Sequence, residues 1–257
     1  MRAEPEERLE RMLPAWSAIA RVEGRLGGGN RNRVWAVRIG GRRYTARLSS
    51  RAHAALEWGI HLLDHVRAAG MSAPEVLRTQ DGRARVDGLI LFSWLDGHPP
   101  TSEGEWHMVA AELTRLHKLT AGWPQRPLFR SSLQLLEESD GGDVRLDLMP
   151  KDVVRRVREA WRAVADETAS VIHGDPGPGN ILLRGGRVGL IDWDEARVDV
   201  SLLDLAALPL DLNPVIGRVR LALARRAAVA WEVANGWVPE PAYARRRLEE
   251  LDSMPET

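Results

Sequence analysis

The segment at residues 173–180 holds the side chains best suited to chemistry. It reads His-Gly-Asp-Pro-Gly-Pro-Gly-Asn, so that the carboxylate of Asp175 stands five positions before the amide of Asn180. That spacing is typical of a phosphotransfer loop of the form H-x-D-x-x-x-x-N, in which the aspartate accepts the proton of an attacking hydroxyl. Two prolines and three glycines stiffen and tighten the segment, which favours a fixed side-chain geometry. The pattern therefore predicts phosphoryl transfer at this loop.

A second carboxylate, Asp192, follows a short apolar run at residues 188–191. Another apolar run comes directly after Asn180, and the pair Gly185-Gly186 separates the two runs. Two apolar runs around a glycine turn predict a β-hairpin. This hairpin would bring Asn180 and Asp192 to the same end of a two-stranded ladder. Amide and carboxylate oxygens suit Mg²⁺, so the sequence predicts that both side chains hold one metal ion.

The elements that must position these residues fall into two parts. Residues 22–48 predict two strands joined by a turn at Gly40-Gly41, and residues 52–69 predict a helix that ends at Gly70. Further strands are predicted at 76–77, 84–86 and 89–94, and helices at 106–119, at 151–165 and from 201 onward. A strand-rich part followed by a helical part predicts an α+β protein of two lobes, with a small-ligand cleft at their junction.

Composition narrows the choice of partners. The 257 residues carry 36 basic and 36 acidic side chains, and this formal net charge of zero offers no overall attraction to nucleic acid or to an anionic membrane. The chain has no cysteine, which excludes disulfides, thiolate metal sites and cysteine nucleophiles. The N-terminus is charged, and no apolar run reaches about 18 residues. We expect a cytoplasmic protein with no nucleic-acid partner and no membrane partner.

Three runs of sequence carry a resemblance to a known family. HGDPGPGNILL, VGLIDWDEA and LLDLAAL are similar to the aminoglycoside phosphotransferase and choline kinase superfamily of small-molecule kinases. The resemblance implies a bilobal protein-kinase-like fold, with a small antiparallel-sheet lobe at 1–96, a hinge near 93–97 and a mainly helical lobe at 97–257. It implies that Asp175 is the catalytic base and that Asn180 and Asp192 are Mg²⁺ ligands. His173 would structure the loop, and Asp204 would be a structural acid in the following helix.

The same resemblance implies a nucleotide site for ATP or GTP in the first lobe. Gly29, Asn30 and Asn32 lie in a run that resembles the family's hairpin over the phosphates. The backbone of Ser93 and Leu95 would meet the adenine edge at the hinge. Arg47 stands where protein kinases carry a phosphate-binding lysine. Its glutamate partner should fall near Gly59, so we assign that role to Glu57 on a rotated helix.

The acceptor is left open by the sequence. Asp194, Glu195 and Asp199 would present a negative surface to a cationic acceptor, or they are ordinary solvated loop acids. Asp211, Glu232 and Glu240 lie in the C-terminal region, where this superfamily builds acceptor specificity, and the sequence does not choose among them. The acceptor would be a small hydroxylated molecule, such as an aminoglycoside or nucleoside antibiotic, a sugar or an amino alcohol.

Two other functions are weighed against an active small-molecule kinase. Arg47 and Gly59 depart from the kinase pattern and favour a nucleotide-binding module with weak or lost catalysis. A protein kinase is a poorer choice because no A-P-E element follows Asp192. Since Asp175, Asn180 and Asp192 are all present, the sequence favours catalysis.

Overall fold

The computed structural model of the chain describes residues 5–27 and 33–255. The backbone divides into two compact units, one of residues up to Gly97 with Gly189–Ile191 and one of His98–Val188 with the residues from Asp192 onward. The strands, in chain order, are β1 (Arg21–Arg25), β2 (Arg33–Ile39), β3 (Arg42–Leu48), β4 (Val76–Leu77), β5 (Leu89–Ser93), β6 (Asp140–Gly141), β7 (Val144–Arg145), β8 (Ala169–Ile172), β9 (Ile181–Arg184), β10 (Arg187–Leu190) and β11 (Arg197–Val200). The helices are α1 (Pro5–Met12), α2 (His53–Ala68), α3 (Glu103–Leu119), α4 (Lys151–Arg162), α5 (Leu202–Ala206), α6 (Asn213–Ile216), α7 (Arg218–Gly236) and α8 (Pro241–Ser253).

The N-terminal unit is built on an antiparallel sheet with the strand order β1-β2-β3-β5-β4. Strands β2 and β3 join through Gly40 and Gly41, whose φ values of 53° and 82° suit a tight hairpin turn. One face of the sheet, which includes Ala46, is buried against apolar side chains of α1 and the turn after it. Because side chains alternate along a strand, Arg47 belongs to the opposite face. The hairpin predicted from the sequence is present, and β1 adds a strand that the polar run at 21–25 did not reveal.

Two small sheets position the functional loops. Strands β9 and β10 form the hairpin predicted from their apolar runs. Strands β8 and β11, which the sequence did not predict, pair antiparallel with Arg197 opposite Ile172. Since β8 ends at Ile172 and β11 begins at Arg197, the loop after β8 and the loop before β11 leave the same end of this sheet.

The helices of the C-terminal unit pack around α7, which contacts both α4 and α8. The rings of Trp161 on α4 and Trp231 on α7 lie 6.0 Å apart. Helix α3 begins with a capping box in which Ser102 and Glu105 bond each other's backbone N–H groups. Together these elements confirm the predicted α+β class, with a strand-rich first part and a mainly helical second part. None of the helices in the described ranges is both long enough and apolar enough to cross a membrane.

Candidate active site

The side chains of Asp175 and Asn180 meet in one loop, as their spacing predicts. The Nδ2 atom of Asn180 donates to Asp175 Oδ2 at 2.8 Å and to the Asp175 main-chain oxygen at 3.0 Å. Both bonds use the amide nitrogen, so the amide oxygen of Asn180 is left to act as a ligand or acceptor. Asp175 is exposed, so its carboxylate is accessible to a substrate hydroxyl.

Asp192 follows strand β10 in an uncommon backbone conformation. Its φ of 58° and ψ of 67° lie in the left-handed region, which aspartate tolerates better than most residues other than glycine. Such backbone outliers cluster at functional sites. The side chain is exposed, in contrast to the buried Trp193 and Asp194 that follow it.

Glycine at position 174 lets the loops that carry Asp175 and Asp192 pack directly on each other. Gly174 has a φ of 84°, and a Cβ atom there would lie 2.6 Å from the main-chain oxygen of Glu195 and 3.0 Å from Nη1 of Arg197. One residue earlier, the ring of His173 packs edge-on against the ring of Trp193 with 5.0 Å between centroids. The two loops are therefore held against each other, and only glycine fits at the closest point.

Asp204 on α5 anchors the start of the loop at residues 173–180. Its carboxylate accepts hydrogen bonds from the backbone N–H groups of His173 at 2.8 Å and Gly174 at 2.9 Å, and from His117 Nε2 at 3.0 Å. Burial by itself would raise the pKa of Asp204. Three neighbours lower that pKa by more: His117 through its hydrogen bond and charge, His173 through its charge, and Gly174 through its N–H group. The pKa is held below the ordinary 3.8, so the carboxylate stays ionised where the loop needs an acceptor.

Asp199 has a different position from the one expected. Its side chain is fully buried, and its carboxylate accepts from Ser132 Oγ at 2.6 Å and from Arg197 Nε at 2.9 Å. The guanidinium of Arg197 in turn lies 3.2 Å from the centre of the Trp231 ring. Asp199 has no surface to offer an acceptor, so we correct that expectation: its carboxylate stabilises the interior behind the loop.

The other two acids of the expected acceptor surface lie beside the loops. Asp194 is buried, and its main-chain oxygen accepts from Arg126 Nη1 at 2.7 Å. Glu195 is half-buried, and its Oε2 accepts from Asn235 Nδ2 on α7 at 3.0 Å. Contact of either residue with an acceptor stays a prediction.

A group on α7 and α8 adds residues that the sequence could not select. The hydroxyl of Tyr243 donates to Glu232 Oε2, and Arg247 Nε lies 2.6 Å from the same oxygen. Burial, the hydrogen bond to Glu232 and the negative charges of Glu232 and Asp175 all raise the pKa of Tyr243. Tyr243 therefore lies within the electrostatic field of Asp175. Of the three C-terminal acids that the sequence left open, Glu232 lines a cavity of about 30 Å³ with Gly174 and Pro176, and its contact with an acceptor stays a prediction.

The donor set of the loops fits Mg²⁺. The part of the chain that the structure describes holds no group of three His, Cys, Asp or Glu side chains that could bind a metal by themselves. Magnesium in nucleotide enzymes needs only one or two protein carboxylates or amides, because phosphate oxygens and waters complete its octahedron. The amide oxygen of Asn180 and the carboxylate of Asp192 would supply hard oxygen ligands of this kind.

The expected nucleotide-binding residues lie in the N-terminal unit. Arg47 is on β3, in register with Val34 of β2 and Ile90 of β5. Glu57 lies on α2, where its Oε1 accepts from Arg85 Nε at 3.0 Å. Pairing of Glu57 with Arg47 stays a prediction.

At the predicted hinge, Ser93 is tied to the neighbouring segment. Its backbone N–H donates to the Glu75 oxygen at 2.8 Å, and its Oγ accepts from Glu75 N at 2.9 Å. Leu95 is partly buried, and the contact of both residues with adenine stays a prediction. Gly29, Asn30 and Asn32 lie outside the described residues.

The chain is similar to known phosphotransferases and kinases. A family model described as the phosphotransferase enzyme family matches residues 24–248. The homoserine kinase of Methylobacterium sp. (strain 4-46) is 30% identical over 173 residues, which cover 60% of this chain and 52% of the relative. A homoserine kinase of Methylobacterium nodulans matches to the same extent, so the chain spans about half the length of the curated relatives it matches.

Solved structures extend the likeness over the whole chain. The amicoumacin kinase hAmiN in complex with AMP-PNP, Ca²⁺ and Ami has a TM-score of 0.69 at 15% identity, covering 99% of this chain and 95% of that one. A thermostable mutant of aminoglycoside phosphotransferase APH(4)-Ia, with ADP and hygromycin B, has a TM-score of 0.66 at 17% identity, covering 99% and 100%. At these identities the structural likeness shows the fold, which is the predicted protein-kinase-like one. The fold and the match over residues 24–248 agree, and the chain belongs to the phosphotransferase enzyme family.

Proposed function

We propose that the chain is a small-molecule kinase that transfers the γ-phosphate of ATP or GTP to a hydroxyl group, with Mg²⁺ as the metal. The observation that carries the proposal is the hydrogen bond from Asn180 to Asp175, in a loop that Asp204 anchors and that packs on the loop of Asp192. Phosphoryl transfer needs this kind of fixed oxygen array more than it needs covalent chemistry.

Each residue of the array has one task in the proposed reaction. Asp175 orients the acceptor hydroxyl and takes its proton while the oxygen forms a bond to the γ-phosphorus and the bond to the nucleoside diphosphate breaks. The N–H group of Asn180 holds the Asp175 carboxylate in place. Asn180 Oδ1 and the Asp192 carboxylate would hold Mg²⁺, which when bound supplies positive charge against the phosphate oxygens.

The acceptor that we propose is a small hydroxylated molecule with an amino group. The charge of Asp175 reaches Tyr243, whose hydroxyl bonds Glu232, and Glu195 borders the same loops, so that carboxylates are grouped in this part of the C-terminal unit. Arg247 and the buried Arg197 lie beside them. Both aminoglycoside antibiotics and hydroxy amino acids carry an ammonium group that such a surface would bind. The homoserine kinases among the relatives favour a hydroxy amino acid, and the fold neighbours favour an antibiotic. We expect the reaction to take place in the cytoplasm, where nucleotide and Mg²⁺ are available.

A screen of acceptors with nucleotide labelled at the γ-phosphate tests the proposal. Homoserine, amino alcohols, aminoglycosides and nucleosides would each be incubated with ATP or GTP and Mg²⁺, and with EDTA as the control. We expect labelled phosphate ester from at least one amine-bearing acceptor and none in EDTA. Nucleotide binding by calorimetry without transfer to any acceptor would instead identify a nucleotide-binding module that has lost catalysis.

A further inference from the structure

A groove of about 570 Å³ lies in the C-terminal unit between helix α4 and the segment at residues 139–149. Lys151, Arg155, Arg158 and Arg162 line it, and we call these four residues the basic stripe. Ser139 and Asp147 are the polar residues on the opposite wall. None of the residues assigned to phosphate transfer lines this groove, so it is a separate feature of the fold.

The basic stripe occupies a single face of α4. Its members are spaced by four, three and four residues, which places them within about 60° of one another around the helix axis. Like charges at these spacings repel each other and destabilise an isolated helix. Natural proteins keep locally unfavourable arrangements, such as this row of repelling charges, mainly at functional sites. Repulsion along the row would be relieved by an anion bound in the groove.

Contacts within the groove leave the positive charge largely unneutralised. Arg158 is fixed by the main-chain oxygens of Leu135 at 3.0 Å and Glu138 at 2.9 Å, which orient its guanidinium without cancelling the charge. In the described part of the chain, neither the side chain of Lys151 nor that of Arg162 forms a hydrogen bond or an ion pair.

Acids close to the stripe already have partners, and Asp152 beside Lys151 pairs with Arg156. Asp147 is held by Arg145 through two bonds, at 2.9 Å and 2.7 Å, which also lower its pKa. Arg155 pairs with Glu159 at 3.2 Å in an exposed i,i+4 contact of the kind that contributes little. The groove therefore keeps an excess of cations, one of them held in place before any ligand arrives.

We propose that this groove binds a small molecule with two or more phosphate groups. Its volume falls within the range of small-ligand sites, and arginine side chains in a row suit phosphate oxygens through paired N–H donors. A small ligand is favoured over a nucleic acid because the whole chain has a formal net charge of zero, so the attraction is confined to the groove. The proposal does not depend on the transfer reaction.

Calorimetry with inorganic tripolyphosphate in metal-free, low-salt buffer tests the site, with hydrogen exchange over α4 to locate it. The test variant is Lys151→Gln/Arg162→Gln, which removes two exposed charges that hold no part of the fold. The matched control is Arg218→Gln/Arg245→Gln, which removes two exposed charges from α7 and α8 of the same unit. We expect the test variant to raise the dissociation constant about tenfold or more, with lost protection of α4, and the control to change it less than about twofold.

Three results would overturn the proposal. Equal affinity in the parent, test and control proteins would show that the groove does not bind phosphate. An equal loss in the test and control variants would show general charge attraction rather than a site. The third test uses a single-stranded DNA oligonucleotide and vesicles of phosphatidylcholine and phosphatidylserine. If either binds more tightly than tripolyphosphate, and the binding depends on the basic stripe, the ligand is a macromolecule or a membrane surface.

Discussion

The side-chain amide of Asn180 donates to the carboxylate of Asp175 at 2.8 Å. This bond fixes the orientation of both groups at once: it uses one oxygen of the Asp175 carboxylate, and it leaves the amide oxygen of Asn180 for a metal. The base and the metal ligand of the proposed reaction are therefore coupled, and a change in one is expected to disturb the other.

Replacement of the proposed base tests this arrangement directly. We expect Asp175→Asn to lower kcat about 10²–10⁴-fold, because the amide cannot accept the hydroxyl proton. Calorimetry without Mg²⁺ should show nucleotide affinity within about threefold of the parent, since Asp175 is not assigned to nucleotide contact. Turnover equal to that of the parent would contradict the role of Asp175. The control for loss of a carboxylate is Glu249→Gln, at an exposed position on α8.

The close approach of the two loops is tested by Gly174→Ala with Gly186→Ala as its matched control. Both glycines have positive φ, 84° and 74°, but a Cβ at Gly174 would meet the Glu195 oxygen at 2.6 Å, whereas one at Gly186 has open space. In the control, the free energy of unfolding should fall by only about 1–2 kcal/mol, which is the cost of a left-handed backbone at alanine. We expect Gly174→Ala to lose more free energy of unfolding in urea and most of its activity. Equal effects of the two variants would show that the loops are not in tight contact.

The anchor of the catalytic loop is tested by Asp204→Asn. Asp204 is fully buried with three donors, and loss of one partner of such a network costs about 3–5 kcal/mol. Asp252→Asn is the control, because Asp252 pairs with Arg156 in an exposed position where the expected loss is under about 1 kcal/mol. Urea denaturation measures both, and similar losses would mean that Asp204 does not anchor the loop.

The same residue predicts a dependence of stability on pH. The pKa of Asp204 in the folded chain lies below the ordinary 3.8, so its ionisation stabilises the fold above that pH and the contribution is lost as pH falls toward the folded-state pKa. We expect the difference in free energy of unfolding between the parent and Asp204→Asn to be constant near pH 5 and to shrink below about pH 3.8. A difference that stays level from pH 5 to pH 3 would contradict the lowered pKa.

The acceptor surface is tested by Tyr243→Phe, which removes the hydroxyl that bonds Glu232. We expect the KM for the acceptor to rise about tenfold while the KM for the nucleotide stays the same, since a hydrogen bond to a charged group contributes about 1.5–3 kcal/mol. The physical reason is orientation, because without the Tyr243 hydroxyl the Glu232 carboxylate keeps only its contact with Arg247. An unchanged KM for every acceptor found in the screen would remove Tyr243 from the proposed site.

The sequence by itself determined the features that depend on neighbouring residues. The spacing of Asp175 and Asn180 within one loop, the β9 and β10 hairpin around two glycines and the β2 and β3 turn all follow from local backbone preferences. The α+β order of elements follows from the same periodicities. Such features can be predicted from the sequence because the groups that interact lie within about ten residues of each other.

Tertiary structure alone decided the partners that lie far apart in the chain. His117 and Asp204 meet across 87 positions, and β8 pairs with β11 although neither run has a clear strand pattern. Packing also determined that Asp199 is buried while Asp175 is exposed, a difference that residue type alone does not predict. Burial is a property of the whole fold, since it depends on which elements cover a residue, and local sequence does not contain that information.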